Sequence, residues 1–299
     1  MRITTPGDVE AVAARATRHE TPCGDGAMIW RRWRVGSETN GAETGTPRRP
    51  LVLLHGGSGS WTHWVRVIPA FWERYDVWAA DLPGLGDSAM PPEPLIPQTC
   101  AAIVADGMRT LMPRAPRPHL VGFSFGAHVG SFAAGRLGHD IASFTIVGTS
   151  ALGLPRPMLD DFPKERSTMT ADERREVHRR VLEILMISDP ARIDALAVAL
   201  QQENVGKARF RSRKFAPTDN VARALADVVV PVGSIWGRHD AIAHPDPETC
   251  LSVIARHHPD LVHEIIPDAG HWVMFEQAPA FCDALVRVLV ALEARGAAP

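Results

Sequence analysis

Short apolar runs alternate with helix-forming stretches over most of this 299-residue chain. A continuous run of apolar, often β-branched residues is typical of a strand that is covered on both faces. By this pattern, the predicted strands lie at residues 51–54, 75–80, 119–123, 142–147, 228–236 and 261–266. The predicted helices lie at residues 8–18, 61–72, 99–112, 127–137, 171–187, 191–202 and 279–294. The alternation predicts βαβ units, and hence an α/β fold with a mostly parallel central sheet flanked by helices.

The alternation stops between residues 151 and 226, where helical segments and a basic stretch at 207–214 replace strand-like runs. An insertion of this kind predicts a helical lid over the cleft at the carboxyl ends of the strands. We therefore expect two parts of one α/β core, residues 1–150 and 227–299, separated by a lid at 151–226.

The N-terminal part precedes this pattern. Residues 28–35 are rich in β-forming side chains and end at Gly36, which predicts an antiparallel edge strand. The stretch from Gly36 to Pro50 is rich in Gly, Thr and Glu and is expected to be a loop.

A serine between two glycines follows the apolar run at 119–123 and precedes a predicted helix. In the segment Gly122-Phe-Ser124-Phe-Gly126, the chain must turn sharply from strand into helix, and small residues at both ends let the two approach. Such a turn is a nucleophile elbow, which holds the Ser124 hydroxyl at the helix N-terminus. The unpaired amides and partial positive charge there suit a developing anionic oxygen.

A glycine-rich segment, residues 55–60, follows the strand at 51–54. One interpretation is a phosphate-binding loop, but the segment lacks the lysine and the glycine spacing of such loops. The other is an oxyanion loop, in which glycine lets a backbone amide point into a cleft. The second interpretation agrees with Ser124.

A serine hydroxyl needs a base to take its proton, usually a histidine that is oriented by a carboxylate. Asp240 lies just beyond the predicted strand 228–236, and His271 lies just beyond the strand 261–266. Both would project from the carboxyl ends of strands, on the side of Ser124. The order Ser, Asp, His along the chain is the one found in α/β-hydrolases.

Five segments resemble the α/β-hydrolase superfamily and follow one another in the order found there. The resemblance extends over residues 26–294. The five segments are His55-Gly-Gly, Asp81-Leu-Pro-Gly-Leu-Gly-Asp-Ser88, Gly122-Phe-Ser-Phe-Gly126, Trp236-Gly-Arg-His-Asp240 and Gly270-His-Trp272. The resemblance implies the α/β-hydrolase fold, with its helical lid inserted after the sixth strand. It implies Ser124 as nucleophile, His271 as base, Asp240 as the acid that orients it, and the amides of Gly57 and Phe125 as the oxyanion hole.

Other residues compete for these roles. His55 looks like the structural histidine of the oxyanion loop, and His128 would point into helix packing one turn beyond Ser124. Asp268 is so close to His271 in sequence that its carboxylate could not easily reach the far ring nitrogen of His271. Asp160 and Asp161, in the predicted lid, are weaker candidates. His239 with His244 or His257 is a weak metal pattern, because no convergent carboxylates or cysteines accompany it, and we expect neither metal nor cofactor.

Serine at the elbow points to acyl transfer, whereas aspartate there would indicate an epoxide hydrolase or a dehalogenase. The expected reaction is therefore hydrolysis of a small, largely apolar carboxylic ester. The His271-Trp272 pair also resembles the carbon–carbon hydrolases of aromatic meta-cleavage pathways, which act on vinylogous diketo acids without a cofactor. Phe123 and Phe125 depart from their usual Asn and Met. The sequence leaves two alternatives open: a non-catalytic ligand-binding relative, and a cofactor-free oxygenase or lyase on this fold.

The residues expected to contact the substrate surround this site. They are Gly56, Trp61, Trp64, Phe123, Arg211 and Trp272. The aromatic rings would line an apolar pocket, unless they are core. Arg211 lies in the basic stretch and would bind a substrate carboxylate, unless that stretch is a solvated face.

Composition restricts the partners. Hydrophobic residues make up 45% and charged residues 22%, and the net charge of −2 gives no reason to expect nucleic acid or an anionic membrane as partner. The scattered cysteines, Cys23, Cys100, Cys250 and Cys282, indicate free thiols in a reducing compartment. With no apolar signal segment at Met1 and no long apolar run, we expect a cytoplasmic protein with a small-molecule substrate. A homodimer is the commonest oligomer, but the sequence does not determine the oligomeric state.

Overall fold

The computed structural model describes residues 2–34, 47–113, 115–155 and 162–296. Its strands form one eight-stranded sheet in the order β1-β2-β4-β3-β5-β6-β7-β8. The strands are β1 (Thr17–Cys23), β2 (Gly26–Trp33), β3 (Pro50–Leu54), β4 (Asp76–Ala80), β5 (His119–Phe123), β6 (Ser143–Val147), β7 (Val232–Gly237) and β8 (Val262–Ile266). Strands β3 to β8 pair in parallel, whereas β2 pairs antiparallel with both β1 and β4. The predicted α/β fold with a mostly parallel sheet is confirmed.

Helices cover both faces of this sheet. The α-helices are α1 (Pro6–Ala13), α2 (Ile68–Phe71), α3 (Pro97–Leu111), α4 (Phe125–Leu137), α5 (Ala171–Val181), α6 (Ala195–Lys207), α7 (Asn220–Ala224), α8 (Pro247–Ala255), α9 (Val273–Glu276) and α10 (Ala278–Gly296). A π-helical turn, Leu182–Met186, extends α5, and short 3-10 helices include Trp61–Trp64 and Ser212–Phe215.

The central strands explain the apolar runs. Every residue of β3, β4, β5 and β6 is buried, because helices pack against both sides of the sheet. One buried cluster includes Val104 of α3 and Val129 of α4, and the other includes Phe281 and Leu285 of α10. Two layers of apolar packing therefore hold the carboxyl ends of the strands in place.

The N-terminal predictions need two corrections. The leading helix ends at Ala13, and residues 17–23 form β1, a strand that the sequence did not reveal. Its segment is largely polar and only Thr21 and Cys23 are buried, so no apolar run marks it. Strand β2 is consequently not at the edge, because β1 occupies that position. The predicted loop at 36–50 falls mainly on residues 35–46, outside the described part, and Pro50 already belongs to β3.

Two further elements differ from prediction for local reasons. The helix expected at 61–72 is divided into the 3-10 helix and α2, which carries Pro69 in its first turn, a favoured place for proline. The strand expected from residue 228 begins only at Val232, since Pro231 before it has no amide hydrogen for the ladder. Helix α8 was not predicted.

The segment between β6 and β7 contains α5, α6 and α7, and its described residues form no strand. It contacts the core beside the elbow. The buried Asn204 of α6 accepts a hydrogen bond from the Ser60 hydroxyl at 2.7 Å and donates one to the Thr62 hydroxyl at 3.1 Å. These bonds join the helical segment to the glycine-rich loop.

Candidate active site

Ser124 is the residue between β5 and α4, and its backbone is strained. Its φ of 53° lies in the left-handed region, which residues other than glycine rarely adopt. The Ser124 amide donates to the carbonyls of Val147 at 2.9 Å and Gly148 at 2.8 Å. These bonds to the end of β6 fix the turn and keep the side chain at the rim of the sheet.

The flanking glycines permit this turn through close backbone contact. A Cβ atom on Gly122 would lie 2.5 Å from the Gly126 carbonyl oxygen, and one on Gly126 would collide with the carbonyl of Leu54. Neither backbone neighbour can move without displacing helix α4 or strand β3. The spacing of small residues around Ser124 is therefore a steric requirement of this elbow.

The side chains of His271 and Asp240 form a buried pair. His271 Nδ1 lies 2.9 Å from Asp240 Oδ2, and both side chains are at most 2% exposed. The other carboxylate oxygen accepts a hydrogen bond from the amide of Ile242 at 2.8 Å. A carboxylate held in this way favours the tautomer with the proton on Nδ1, which leaves Nε2 free to accept a proton. The loops after β7 and β8 therefore bring together two side chains that are distant in sequence.

The competing acids do not take this position. The carbonyl of Asp268 accepts a hydrogen bond from the side chain of Gln277, and its carboxylate has no bond to His271 among the described contacts. Asp160 and Asp161 lie outside the described residues.

Ser124 and His271 line the same cavity, whose volume is about 220 Å³. Gly56, Gly57 and Phe125 line it as well, on the side of the glycine-rich loop. As the first residue of α4, Phe125 has an amide with no acceptor inside the helix. The Gly57 amide likewise donates to no acceptor within the described residues. Two backbone donors are therefore available beside Ser124.

His63, in the 3-10 helix Trp61–Trp64, is a cavity residue that the sequence analysis did not single out. Its Nδ1 accepts a hydrogen bond from the Gly56 amide at 3.2 Å. Burial, together with repulsion from His55 and His271, lowers the pKa of His63 well below its ordinary value. The ring is therefore neutral and carries its proton on Nε2. In sequence it stands between tryptophans in an apolar stretch, which hides a polar role.

The other two histidines near the elbow differ from each other. His55 has both nitrogens occupied, by the Gly56 carbonyl at 2.7 Å and the Leu82 amide at 2.8 Å, which fits a structural role. His128, which was expected to point into helix packing, stacks on Phe132 of its own helix and is also one of the residues that line the cavity. It is 2% exposed, and within the described part of the chain its Nε2 atom has no hydrogen-bond partner. Burial lowers the pKa of His128 to about 4.

Only some of the predicted substrate contacts line the cavity. Gly56 and Phe123 do so. The rings of Trp61, Trp64 and Trp272 are instead buried against Trp33, Phe281 and Phe275, respectively. Arg211 is exposed and does not line the cavity, whereas Arg213, two residues later, does. An aromatic composition does not reveal which rings face a cavity and which complete the core.

The described residues contain neither a candidate metal cluster nor a candidate membrane-spanning helix. No group of three or more His, Cys, Asp and Glu side chains there is arranged to hold a metal ion. Within the same residues, no helix combines the length and the apolar character that a membrane span needs.

The chain is similar in sequence to several characterised proteins. It is 60% identical to the soluble epoxide hydrolase of Corynebacterium sp. (strain C12) over 42 residues, which are 14% of this chain and 15% of that protein. It is 27% identical over 250 residues to the dihydrolipoyllysine-residue acetyltransferase component of the acetoin cleaving system of Pseudomonas putida, which covers 80% of this chain and 62% of that protein. These two matches thus span less than two thirds of the relatives' own lengths.

A third relative is matched over most of its length. The 2-hydroxy-6-oxononadienedioate/2-hydroxy-6-oxononatrienedioate hydrolase of Burkholderia vietnamiensis (strain G4 / LMG 22486) is 25% identical over 258 residues, covering 80% of this chain and 86% of that protein. Among solved structures, naproxen esterase from Bacillus subtilis has a TM-score of 0.71 at 20% identity, with 95% of each chain covered. At this identity the likeness shows the fold.

The strongest of the comparisons concerns the family. A sequence profile described as the alpha/beta hydrolase family matches residues 51–284, which include the elbow, Asp240 and His271. The match extends over most of the eight-stranded sheet and supports hydrolase activity. The chain belongs to the alpha/beta hydrolase family.

Proposed function

We propose that this protein is a serine hydrolase that cleaves a small, largely apolar carboxylic ester through an acyl-enzyme on Ser124. The observation that carries the proposal is the shared cavity: the elbow serine and His271 both line it, and His271 is paired behind it with the buried Asp240. A cavity of about 220 Å³ suits a small substrate. The phenyl rings of Phe123 and Phe125 favour an apolar one.

The proposed reaction has two halves. In the first, His271 Nε2 takes the proton of the Ser124 hydroxyl while its oxygen attacks the ester carbonyl, and the amides of Gly57 and Phe125 donate to the resulting oxyanion. The C–O bond to the alcohol then breaks, and His271 returns the proton to the departing oxygen. In the second half, His271 takes a proton from water, the hydroxide attacks the acyl-enzyme, and the acid leaves as Ser124 recovers its proton. Asp240 stabilises the imidazolium in both halves.

The nucleophile separates this proposal from one relative. Hydrolysis of an epoxide through an alkyl-enzyme ester requires a carboxylate nucleophile, and this chain has a serine at the elbow. The local 60% identity to an epoxide hydrolase therefore gives no support for epoxide chemistry here.

Carbon–carbon hydrolysis is the second candidate, because the Burkholderia relative is named as a hydrolase of a dienedioate and is matched over 86% of its length. Arg213 in the cavity lining offers a positive charge for a substrate carboxylate. The position of Trp272 argues against carbon–carbon hydrolysis. Its ring stacks on Phe275 with centroids 4.1 Å apart and does not reach the cavity. The third candidate, a non-catalytic ligand-binding relative, would retain the cavity without turnover.

The test is a panel of p-nitrophenyl and aryl esters, matched amides and a vinylogous diketo acid, assayed side by side. We expect the esters to be the best substrates and Ser124→Ala to lose roughly 10³-fold or more in kcat. Ser252→Ala is the matched control, since that hydroxyl is exposed and bonds only to the Thr249 carbonyl of its own helix. Preference for the diketo acid would select carbon–carbon cleavage, and near-normal ester hydrolysis by Ser124→Ala would reject the acyl-enzyme.

A further inference from the structure

An aromatic cluster stands behind one side of the cavity. The ring of Phe125, next to the elbow, lies 5.4 Å from that of Phe210, which stacks on Phe215 at 6.1 Å. His128, one helical turn beyond Ser124, contacts this cluster edge-on, 5.9 Å from Phe125 and 6.3 Å from Phe215. The other face of its ring stacks on Phe132 at 6.0 Å. An imidazole thus occupies a place that is otherwise apolar.

The Nε2 atom of His128 is buried and has no hydrogen-bond partner among the described residues. Leaving such an atom unpaired destabilises a fold, and a phenyl ring would fill the same place without that cost. Two other buried histidines of this protein follow the usual rule. His55 and His119 both have partners on each nitrogen. Of the three residues His55, His119 and His128, only His128 has an unpartnered nitrogen, and only His128 lines the cavity.

The remaining unpartnered buried atoms do not share this position. They are Trp64 Nε1, Trp78 Nε1 and Thr145 Oγ1, and none of these residues lines the cavity. His128 therefore combines two features that are independent of each other: it has an unsatisfied polar atom, and it lines the wall of the cavity that contains Ser124. Nε2 itself has almost no accessible surface, so a ligand in the cavity could satisfy this atom only if the His128 ring turns.

We propose that His128 is a specificity-determining residue, which hydrogen-bonds a hydroxyl substituent on an aromatic ring of the substrate. The proposal rests on the proposed ester hydrolysis and names the substrate class, a hydroxylated aryl ester. A phenyl ring packs well against Phe125, and a neutral imidazole can either donate to or accept from a hydroxyl.

The size of the cavity agrees with a single ring. A dry cavity of about 150 Å³ in a protein can hold benzene, so about 220 Å³ leaves room for one ring and the ester group. The structure does not determine whether the ring belongs to the acyl or the alcohol part. The experiment therefore includes both.

The test measures kcat/KM for two matched pairs of substrates. One pair is phenyl acetate and its hydroxyphenyl counterparts, and the other is the p-nitrophenyl ester of phenylacetate and of its hydroxyphenyl analogue. We expect the wild-type protein to prefer the hydroxylated member of one pair by about fivefold or more, the factor for one net neutral hydrogen bond. In His128→Phe the preference should fall to about one, and in His128→Gln, which keeps a polar atom near Nε2, part of it should return.

Other outcomes separate the hypotheses. A purely structural role for His128 predicts that His128→Phe lowers both members of a pair equally and reduces Tm, and this result would overturn the proposal. No preference in the wild-type protein for any pair would overturn it as well. If no ester is hydrolysed, the proposed function fails, and the His128 assignment is tested by binding: phenol should bind about fivefold more tightly than toluene, and His128→Phe should remove the difference. Equal binding of the two ligands would reject it.

Discussion

Glu276, in α9, connects the loop that carries His271 to the helical segment between β6 and β7. One carboxylate oxygen accepts hydrogen bonds from the amides of Gly270 at 2.7 Å and Ser188 at 3.1 Å. The other accepts from the Ser188 hydroxyl at 2.8 Å and the Asp189 amide at 2.9 Å. The side chain is buried and its bond to Gly270 is made away from water, whereas its bonds to the exposed residues Ser188 and Asp189 are only part-buried. We predict that Glu276→Gln disturbs stability and activity together.

The magnitude follows from the geometry of the four bonds. A glutamine presents one oxygen and one NH₂ group, so in either orientation at least one backbone amide faces a donor. The two amides of Gly270 and Ser188 share one oxygen, and losing them is the worse of the two orientations. Bonds to charged groups contribute about 1.5–3 kcal/mol each, and a buried unpaired donor adds its desolvation cost. We therefore expect a loss of about 2–4 kcal/mol in the free energy of unfolding.

Because Gly270 precedes His271, the same change should displace the imidazole. Misplacement of a catalytic group by about 1 Å can cost roughly 100-fold, so we expect kcat to fall by about 10- to 100-fold with a smaller change in KM. Urea unfolding and steady-state ester hydrolysis measure the two effects. Glu264→Gln is the control, since Glu264 pairs with Arg287 on the surface and should change stability by less than about 1 kcal/mol. A Glu276→Gln protein with wild-type stability and kcat would refute the reasoning.

Three further predictions concern the elbow and its histidines. The pKa of His128 is about 4, against an ordinary value of 6.5. Between pH 6.5 and pH 4 the unfolded chain therefore binds more protons than the folded protein, and stability falls as the pH drops through this range. This single group contributes about 3 kcal/mol to the fall, and urea unfolding at pH 7 and 4.5 should show a shallower dependence for His128→Phe; equal slopes would contradict this. Gly126→Ala should lower the free energy of unfolding by more than about 3 kcal/mol or prevent folding, because the added Cβ meets the Leu54 carbonyl. The control is Gly206→Ala in α6, where the space around the Cβ is open; in the same urea assay its stability should be unchanged or higher. His63→Phe removes the acceptor for the Gly56 amide and should lower kcat by roughly tenfold or more without a matching rise in KM; unchanged kcat would exclude a role for His63 in holding the loop.

Local patterns were sufficient for the centre of the fold. The parallel strands are covered on both faces, so each appears in the sequence as an apolar run, and β3 to β6 were predicted at nearly their observed bounds. Strand β1 was missed because it lies at the edge of the sheet, with one neighbour and mostly polar residues. Hydrophobic patterning reveals burial, and an edge strand has little of it.

The candidate site likewise contains residues that the sequence singles out and residues that it does not. Ser124, Asp240 and His271 were found because each follows a strand within a recognisable motif, and the structure brings the last two within hydrogen-bond distance. Glu276 and His63 were missed because their partners are remote or are backbone atoms. Glu276 bonds to Ser188, 88 residues away, and only the folded chain shows that contact. The directions of tryptophan and arginine side chains, as at Trp64 and Arg211, are likewise set by tertiary packing.

The central claim is that His271 activates Ser124 as a nucleophile in this cavity. It is tested most directly by exposing the folded protein to a fluorophosphonate and following the intact mass and the labelled peptide. The predicted result is a single adduct on the peptide that contains Ser124, formed at least about 100-fold more slowly in His271→Ala. Absence of an adduct, an adduct on another residue, or equally fast labelling of the His271→Ala protein would contradict the claim.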